Sequence, residues 1–303
     1  MTSPAAHDST EPRPVPLSTP PPPGVAMLPS DTFTGHVALV TGGGTGIGRA
    51  IATEFARTGA AVAIVSRDEA HRRAGVEAVE AVGGTATQVA ADIRDPDGIA
   101  AAFDVVEDQL GPITILVNNA AGNFEVPAEQ MSANAWRAVI QIVLDGTFYC
   151  STEFARRRLE AGGDGAILNL GAAYSWTGGP GAAHSAAAKA ATANLTMSLG
   201  VEWASDGIRV NNLVPGVFPH DDQDEHWGQG RQERSIRRST SVPLGRVGEL
   251  RELAWAATYL CSPYAAYVTG ASFIVDGANW LRRHAFSTPE HVPPRDRLDP
   301  RSD

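Results

Sequence analysis

Short apolar runs recur along this chain, each followed by a stretch whose apolar residues return every three or four positions. "HVALVTGG" (36–43) is an apolar strand entering a glycine turn. "GIGRAIATEFARTGA" behind it carries Ile47, Ile51 and Phe55 at helical spacing. The alternation continues with strand 61–67, helix 69–82, strand 86–91, helix 97–110 and strand 113–120. Helix 133–159, strand 165–171, helix 184–205, strand 208–215, helix 249–260 and strand 272–277 complete it. The strands are apolar throughout, so both of their faces must be covered. This predicts one α/β domain built on a parallel sheet of about seven strands, with helices on both sides.

The ends depart from the pattern. "EPRPVPLSTPPPPG" (11–24) is too proline-dense for helix or sheet, so residues 1–31 are expected to be a disordered tail. Residues 284–303, again polar and proline-rich, are expected to be a second tail, leaving 32–283 as the folded domain. The polar stretch 219–240 interrupts the alternation and is expected to be a substrate lid over the C-terminal edge of the sheet. The start lacks the basic-then-apolar order of a secretory leader, and no run of eighteen apolar residues occurs. The chain does not finish in a peroxisomal Ser-Lys-Leu. A cytoplasmic protein is the expectation.

Composition narrows the function. With 303 residues, 43% hydrophobic and 19% charged, the chain can bury a full core. A formal net charge of −10 argues against a nucleic-acid partner. Cys150 and Cys261 lie far apart and form no Cys-x-x-Cys, which predicts buried thiols in a reducing compartment and no metal site.

The glycine turn "TGGGTGIG" (41–48) follows a strand and opens a helix, the context in which such a turn binds a dinucleotide. Gly42 permits the tight turn. Gly46 and Gly48 let backbone and helix approach a pyrophosphate seated on the helix N-terminus. At the end of the second strand stand Ser66 and Arg67, where an acid would select NAD; a hydroxyl and a guanidinium suit the 2′-phosphate of NADP. Arg49 could add charge, and Asp68 is a competing candidate for the acidic role, one or two positions late. Asp92 is placed to accept from an adenine amino group, or to cap the following helix.

With "DIR" (92–94), "NNA" (118–120) and Lys189, these motifs resemble the short-chain dehydrogenase/reductase family. The resemblance implies a single-domain Rossmann-type doubly wound fold and a homo-oligomer, most often a tetramer. It adds Thr45, Ile47, Ile93, Asn119, Pro215, Gly216 and Val217 to the cofactor contacts. The family's usual Asn-Ser-Tyr-Lys tetrad is mostly absent: Val143, Ala172 and Ser185 occupy the first three positions. Lys189 alone remains, and it is the only lysine beside 23 arginines. A compact ammonium is thus wanted there, for the nicotinamide ribose hydroxyls.

A phenol lies upstream. Tyr174 in "GAAYSW" follows a strand end, where open α/β sheets place ligands. "NNAAGNF" (118–124), "IVLDGTF" (142–148), a Tyr eleven residues before Ser-x-x-x-Lys, and "VPLGR" (242–246) resemble the 2,4-dienoyl-CoA reductases of this family. That resemblance implies catalysis by Tyr174 and Asn123, with Ser185 and Lys189 in the network, and places Arg94, Phe124 and Ser132 against an acyl-CoA. It implies NADPH-dependent reduction of 2,4-dienoyl-CoA to 3-enoyl-CoA. Two alternatives stand beside it: reduction of a trans-2-enoyl-CoA or related unsaturated thioester, and a catalytically inactive NADP-binding protein. The chain departs from the family at Ala278, where "VDGA" lacks the usual second glycine, and over 219–240.

Overall fold

A computed structural model describes residues 20–220 and 242–281. Seven strands form one parallel sheet: β1 (Val37–Thr41), β2 (Ala61–Ser66), β3 (Ala86–Ala90), β4 (Ile113–Asn118), β5 (Gly165–Leu170), β6 (Ile208–Pro215) and β7 (Ser272–Val275). Their order is β3-β2-β1-β4-β5-β6-β7, so the chain reverses direction across the sheet between β1 and β4. That reversal opens a crevice at the strands' C-terminal ends, the place where doubly wound sheets bind nucleotides. The Rossmann-type single domain is therefore present.

The helices are α1 (Gly46–Arg57), α2 (Glu69–Glu80), α3 (Pro96–Leu110), α4 (Ala133–Ile140), α5 (Gly146–Glu160), α6 (Tyr174–Thr177), α7 (Ala183–Glu202) and α8 (Leu250–Cys261). Alternate residues of β1 show how the layers form, because successive side chains point to opposite faces. Ala38 and Val40 pack with Ile51 and Phe55 of α1 and Leu253 and Ala257 of α8. Val37 and Leu39 pack with Phe103 of α3, Phe154 of α5 and Leu199 of α7. Phe55 is fully buried, worth about 1.5–3 kcal/mol in transfer free energy. Cys150 and Cys261 are both buried, and burial pushes each thiol up to about 12. Among the described residues, no helix is long and apolar enough to cross a membrane.

Several boundaries differ from the periodicity. The helix expected over 133–159 is divided by a π-helical turn, Gln141–Asp145, between α4 and α5. The helix expected over 184–205 ends at Glu202, and a 3₁₀ turn, Ala204–Asp206, follows. The proline-rich segment expected to be disordered through residue 31 enters the described structure at residue 20. Its apolar Leu28 packs on the α1 side of the core, and Pro29 accepts from Thr32 N–H at 3.1 Å in a local turn. Residues 1–19 and 282–303, and 221–241 of the expected lid, lie outside the described residues.

Candidate active site

One open cleft of about 860 Å³ crosses the strand ends at the reversal point. Its wall runs from Gly42, Thr45, Gly46, Ile47 and Gly48, past Ser66, Arg67, Asp92 and Ile93, to Asn119, Asn123, Tyr174, Ser185 and Lys189. Residues more than 140 positions apart in the chain thus share one surface.

The glycine turn is built for close approach. Gly46 sits at φ +45°. A side chain on Gly48 would strike the Gly42 carbonyl and the Asn119 amide. Asn119 ties the turn to β4, donating from Nδ2 to the carbonyls of Thr41 and Gly42, each at 3.0 Å. The first turn of α1 holds no acidic residue and Thr45 makes no side-chain cap, so no carboxylate at this helix N-terminus would oppose an anion.

At the end of β2, Asp68 is committed elsewhere: its carboxylate accepts from His71 N–H at 2.8 Å and caps α2. Ser66 and Arg67 are left to face the cleft. Arg72, which the sequence reading did not single out, donates from Nη1 to the carbonyls of Ser66 (2.8 Å) and Arg67 (2.7 Å). It brings a guanidinium to the selectivity loop and stiffens it. The signal was available, since Arg72 lies four residues after the capping Asp68 and so on the same helix face. Together the turn and this loop offer the close backbone approach and the positive charge that a dinucleotide cofactor requires.

Asp92 is engaged by Arg94. Arg94 Nε meets both carboxylate oxygens at 2.9 and 3.0 Å, and Arg67 Nη1 stands 3.7 Å away. The hydrogen bond from Arg94 holds the Asp92 carboxyl down to about 2. Arg94 therefore sits with Asp92 on this side of the cleft and does not line it.

On the opposite side, β5 ends at Leu170 and α6 begins at Tyr174, a four-residue helix hidden from the periodicity by its length. The Tyr174 hydroxyl lies 3.0 Å from Ser185 Oγ. Burial raises the Tyr174 phenol above its ordinary value, opposed only in part by the Ser185 bond. Lys189, one turn beyond Ser185 on α7, donates from Nζ to the Leu170 carbonyl. Its burial lowers the ammonium to about 8. Asn123 Oδ1 accepts from Phe124 N–H at 2.9 Å, which leaves the amide's NH₂ as the outward donor.

Beneath these groups runs a buried polar chain. Asn118 Nδ2 donates to Ser151 Oγ (3.0 Å) and Asn169 Oδ1 (2.9 Å), and Asn169 Nδ2 donates to Thr196 Oγ1 (2.9 Å). It ties β4 to β5, α5 and α7 under the cleft, and a hydrogen-bonded network of this kind rigidifies its surroundings. Val143, at the position of the usual tetrad Asn, is buried inside the π-helical turn and offers only its carbonyl, to Thr147 Oγ1 at 2.8 Å.

Other expected residues lie elsewhere. Ser132 caps α4, accepting from Ala135 N–H at 3.1 Å. Val217 lines a separate cavity of about 90 Å³ with Phe218, Val242 and Asp276. Pro215 and Gly216 are not among the cleft residues. Phe124 is 39% exposed beside Asn123. Among the described residues no cluster of His, Cys, Asp and Glu could hold a metal ion.

Comparison with known proteins agrees with this architecture. The family described as Enoyl-(Acyl carrier protein) reductase matches residues 42–278. A probable 2,4-dienoyl-CoA reductase [(2E)-enoyl-CoA-producing] of Bacillus subtilis is 38% identical over 82% of this chain and 98% of its own. A peroxisomal 2,4-dienoyl-CoA reductase [(3E)-enoyl-CoA-producing] of Rattus norvegicus is 38% identical over 83% of this chain and 86% of its own. The crystal structure of a short chain dehydrogenase from Bacillus anthracis is 41% identical, with a TM-score of 0.75 over 82% of this chain and 98% of that one. The fold, the glycine-turn cleft and these matches place the chain in the short-chain dehydrogenase/reductase family, among relatives of the 2,4-dienoyl-CoA reductases.

Proposed function

We propose that the protein is an NADPH-dependent reductase of a conjugated carbon–carbon double bond in an acyl-CoA thioester, 2,4-dienoyl-CoA being the preferred substrate. The observation that carries this reading is the Tyr174–Ser185 pair, 3.0 Å apart on the cleft wall that also holds Asn123. The usual tetrad positions provide no phenol: Val143, Ala172 and Ser185 stand there.

The arrangement suits alkene reduction better than ketone reduction. Bound NADPH would supply a hydride. In a conjugated thioester the resulting charge travels through the double bonds to the thioester oxygen, away from the carbon attacked. Neutral donors aimed at that oxygen stabilise the dienolate, and a proton given up by the Tyr174 phenol and returned to carbon completes the reduction. The half-buried Tyr174 phenol, raised above its ordinary value by desolvation, is such a donor. The Asn123 NH₂, its carbonyl occupied by Phe124 N–H, is a second. Gly42, Thr45, Gly46, Ile47 and Gly48 would hold the pyrophosphate, Ser66 and Arg67 the 2′-phosphate, and Lys189 the ribose beside the nicotinamide. Residues 32–283 form the catalytic domain in this reading, and the protein works in the cytoplasm as a homotetramer. Phe148 of α5 and Met197 and Val201 of α7 are exposed apolar residues available to such an assembly.

The test is steady-state oxidation of NADPH with 2,4-dienoyl-CoA, trans-2-enoyl-CoA and a ketone panel, with the double-bond position of the product read by NMR. Turnover of the dienoyl thioester with kcat/KM at least tenfold above the others supports the proposal. Preference for the enoyl thioester selects the single-alkene reading. NADPH binding without turnover on any of them selects the inactive binding protein.

A further inference from the structure

We infer that His184 is a positioning residue that holds the two oxyanion donors at their working separation. This rests on the reading of Tyr174 and Asn123 as those donors. The two stand on different loops, after β5 and after β4, and no hydrogen bond joins their side chains. His184 stands between Ser185, the partner of Tyr174, and the loop after β4. It is wholly buried, at 0% exposure, in the first turn of α7. Its Nδ1 accepts from Ser185 N–H at 2.8 Å, and Ser185 Oγ in turn meets the Tyr174 hydroxyl. Its ring stands perpendicular to that of Phe124, centroids 4.7 Å apart, and Phe124 N–H is the group that orients the Asn123 amide. A backbone bond from Val126 N–H to the Gly181 carbonyl, 2.9 Å, closes the same junction.

A simple cap does not account for this residue. An orphan N–H in a helix's first turn is ordinarily met by Ser, Thr, Asp or Asn, which bury no ring. Accepting at Nδ1 puts the imidazole proton on Nε2, and Nε2 is buried with no hydrogen-bond partner. Such a group costs stability where a smaller cap would not. What the imidazole adds is the perpendicular contact with Phe124, and so a rigid link from Ser185 to the Asn123 loop.

Two variants separate the contacts. His184→Phe keeps a ring against Phe124 and loses the acceptor; His184→Asn keeps an acceptor for Ser185 N–H and loses the ring. Each is assayed with full-length enzyme for kcat on 2,4-dienoyl-CoA, for NADPH dissociation constant, and by ultraviolet difference titration of the Tyr174 phenol, assigned by its loss in Tyr174→Phe. Both variants should lose at least tenfold in kcat with NADPH affinity within twofold. The phenol should titrate at higher pH in His184→Phe and stay in place in His184→Asn. Retention of kcat within threefold by either folded variant overturns the inference, as does failure of both to fold, which would make the residue structural. A wild type inert on every thioester, with the phenol shift intact, would defeat the substrate reading and leave the His184–Ser185–Tyr174 link standing.

Discussion

The Tyr174 hydroxyl and Ser185 Oγ are 3.0 Å apart, so the serine that replaces the usual tyrosine acts as the partner of a tyrosine from another loop. Tyr174→Phe should lower kcat by roughly 10²–10⁴-fold, the usual contribution of a positioned acid. NADPH affinity should hardly change. Ser185→Ala should cost less, and it should move the phenol further up, since the Ser185 bond is what lowers it. Ser185→Tyr should not rescue Tyr174→Phe, because position 185 is 1% exposed and already filled. Stopped-flow kinetics and equilibrium NADPH titration check all of these. Full activity in Tyr174→Phe would remove Tyr174 from the mechanism.

Asn123→Ala should lower kcat on the dienoyl thioester by roughly 10²–10³-fold, the loss seen when one oxyanion donor is removed. Asn123→Asp should be worse, since it sets a negative charge where charge develops. The comparison is made at saturating NADPH, so that the loss reads on the thioester alone. A kcat within threefold of wild type would assign the donor role elsewhere.

Lys189 gives activity and stability opposite pH dependences. Its ammonium is charged below about 8, and kcat should fall as pH rises through that value if the charge holds the ribose hydroxyls. Because burial depresses the folded-state value below 10.5, the unfolded chain keeps the proton to higher pH. This group therefore adds stability from about pH 8 upward. Cys150 and Cys261, raised from 9.0 to about 12, oppose it above pH 9.0. Urea melts and kcat measured between pH 7 and 9 should diverge, and Lys189→Met should flatten both curves. Parallel curves would show that another group governs the alkaline limb.

Arg67→Ala should weaken NADPH by roughly 1.5–3 kcal/mol and leave NADH almost untouched, the signature of a charge-assisted bond to the 2′-phosphate. Arg72→Ala should weaken NADPH too, because Arg72 holds the carbonyls on which Ser66 and Arg67 are carried. Calorimetric titration with both cofactors tests this. Equal affinity of the wild type for NADH and NADPH would sink it.

Some of this was legible in residue order and some was not. The strands were legible because parallel strands covered on both faces read as unbroken apolar runs, as in Val62–Val65. The nearness of Tyr174 to Ser185 was legible because three family positions were plainly substituted and Tyr174 followed a strand. The π-helical turn was not, since Gln141–Asp145 keeps a helical spacing of apolar residues while its hydrogen bonds change. Nor was Arg94's partner: a pairing two residues apart across a turn has no periodic signature. His184 was invisible for a related reason. A polar residue in a helix's first turn reads as solvent-facing, and its ring contact with Phe124, sixty residues earlier, leaves no mark in residue order.

The departure at Ala278 has a measurable side. The turn keeps its left-handed geometry, with Ala278 at φ +67°, the one non-glycine among the described residues at positive φ. Ala278→Gly should raise stability by about 0.5–1 kcal/mol, since relief of the left-handed penalty of roughly 1–2 kcal/mol outweighs the extra entropy of the unfolded chain. A shift in the urea midpoint with unchanged slope checks it. Loss of stability would mean that the alanine methyl makes a contact worth more than the strain.

The lysine-poor composition makes the protein unusually easy to read with amine chemistry. Lys189 carries the only side-chain amine, and it is 7% exposed at the floor of the cleft. An acylating or reductive-methylation reagent therefore reports on one side chain without mutagenesis, the α-amino terminus being the other amine that reacts. Its rate measures opening of the cleft, its suppression measures cofactor occupancy, and an isotopically labelled methyl on that nitrogen would place a single NMR probe beside the reacting centre.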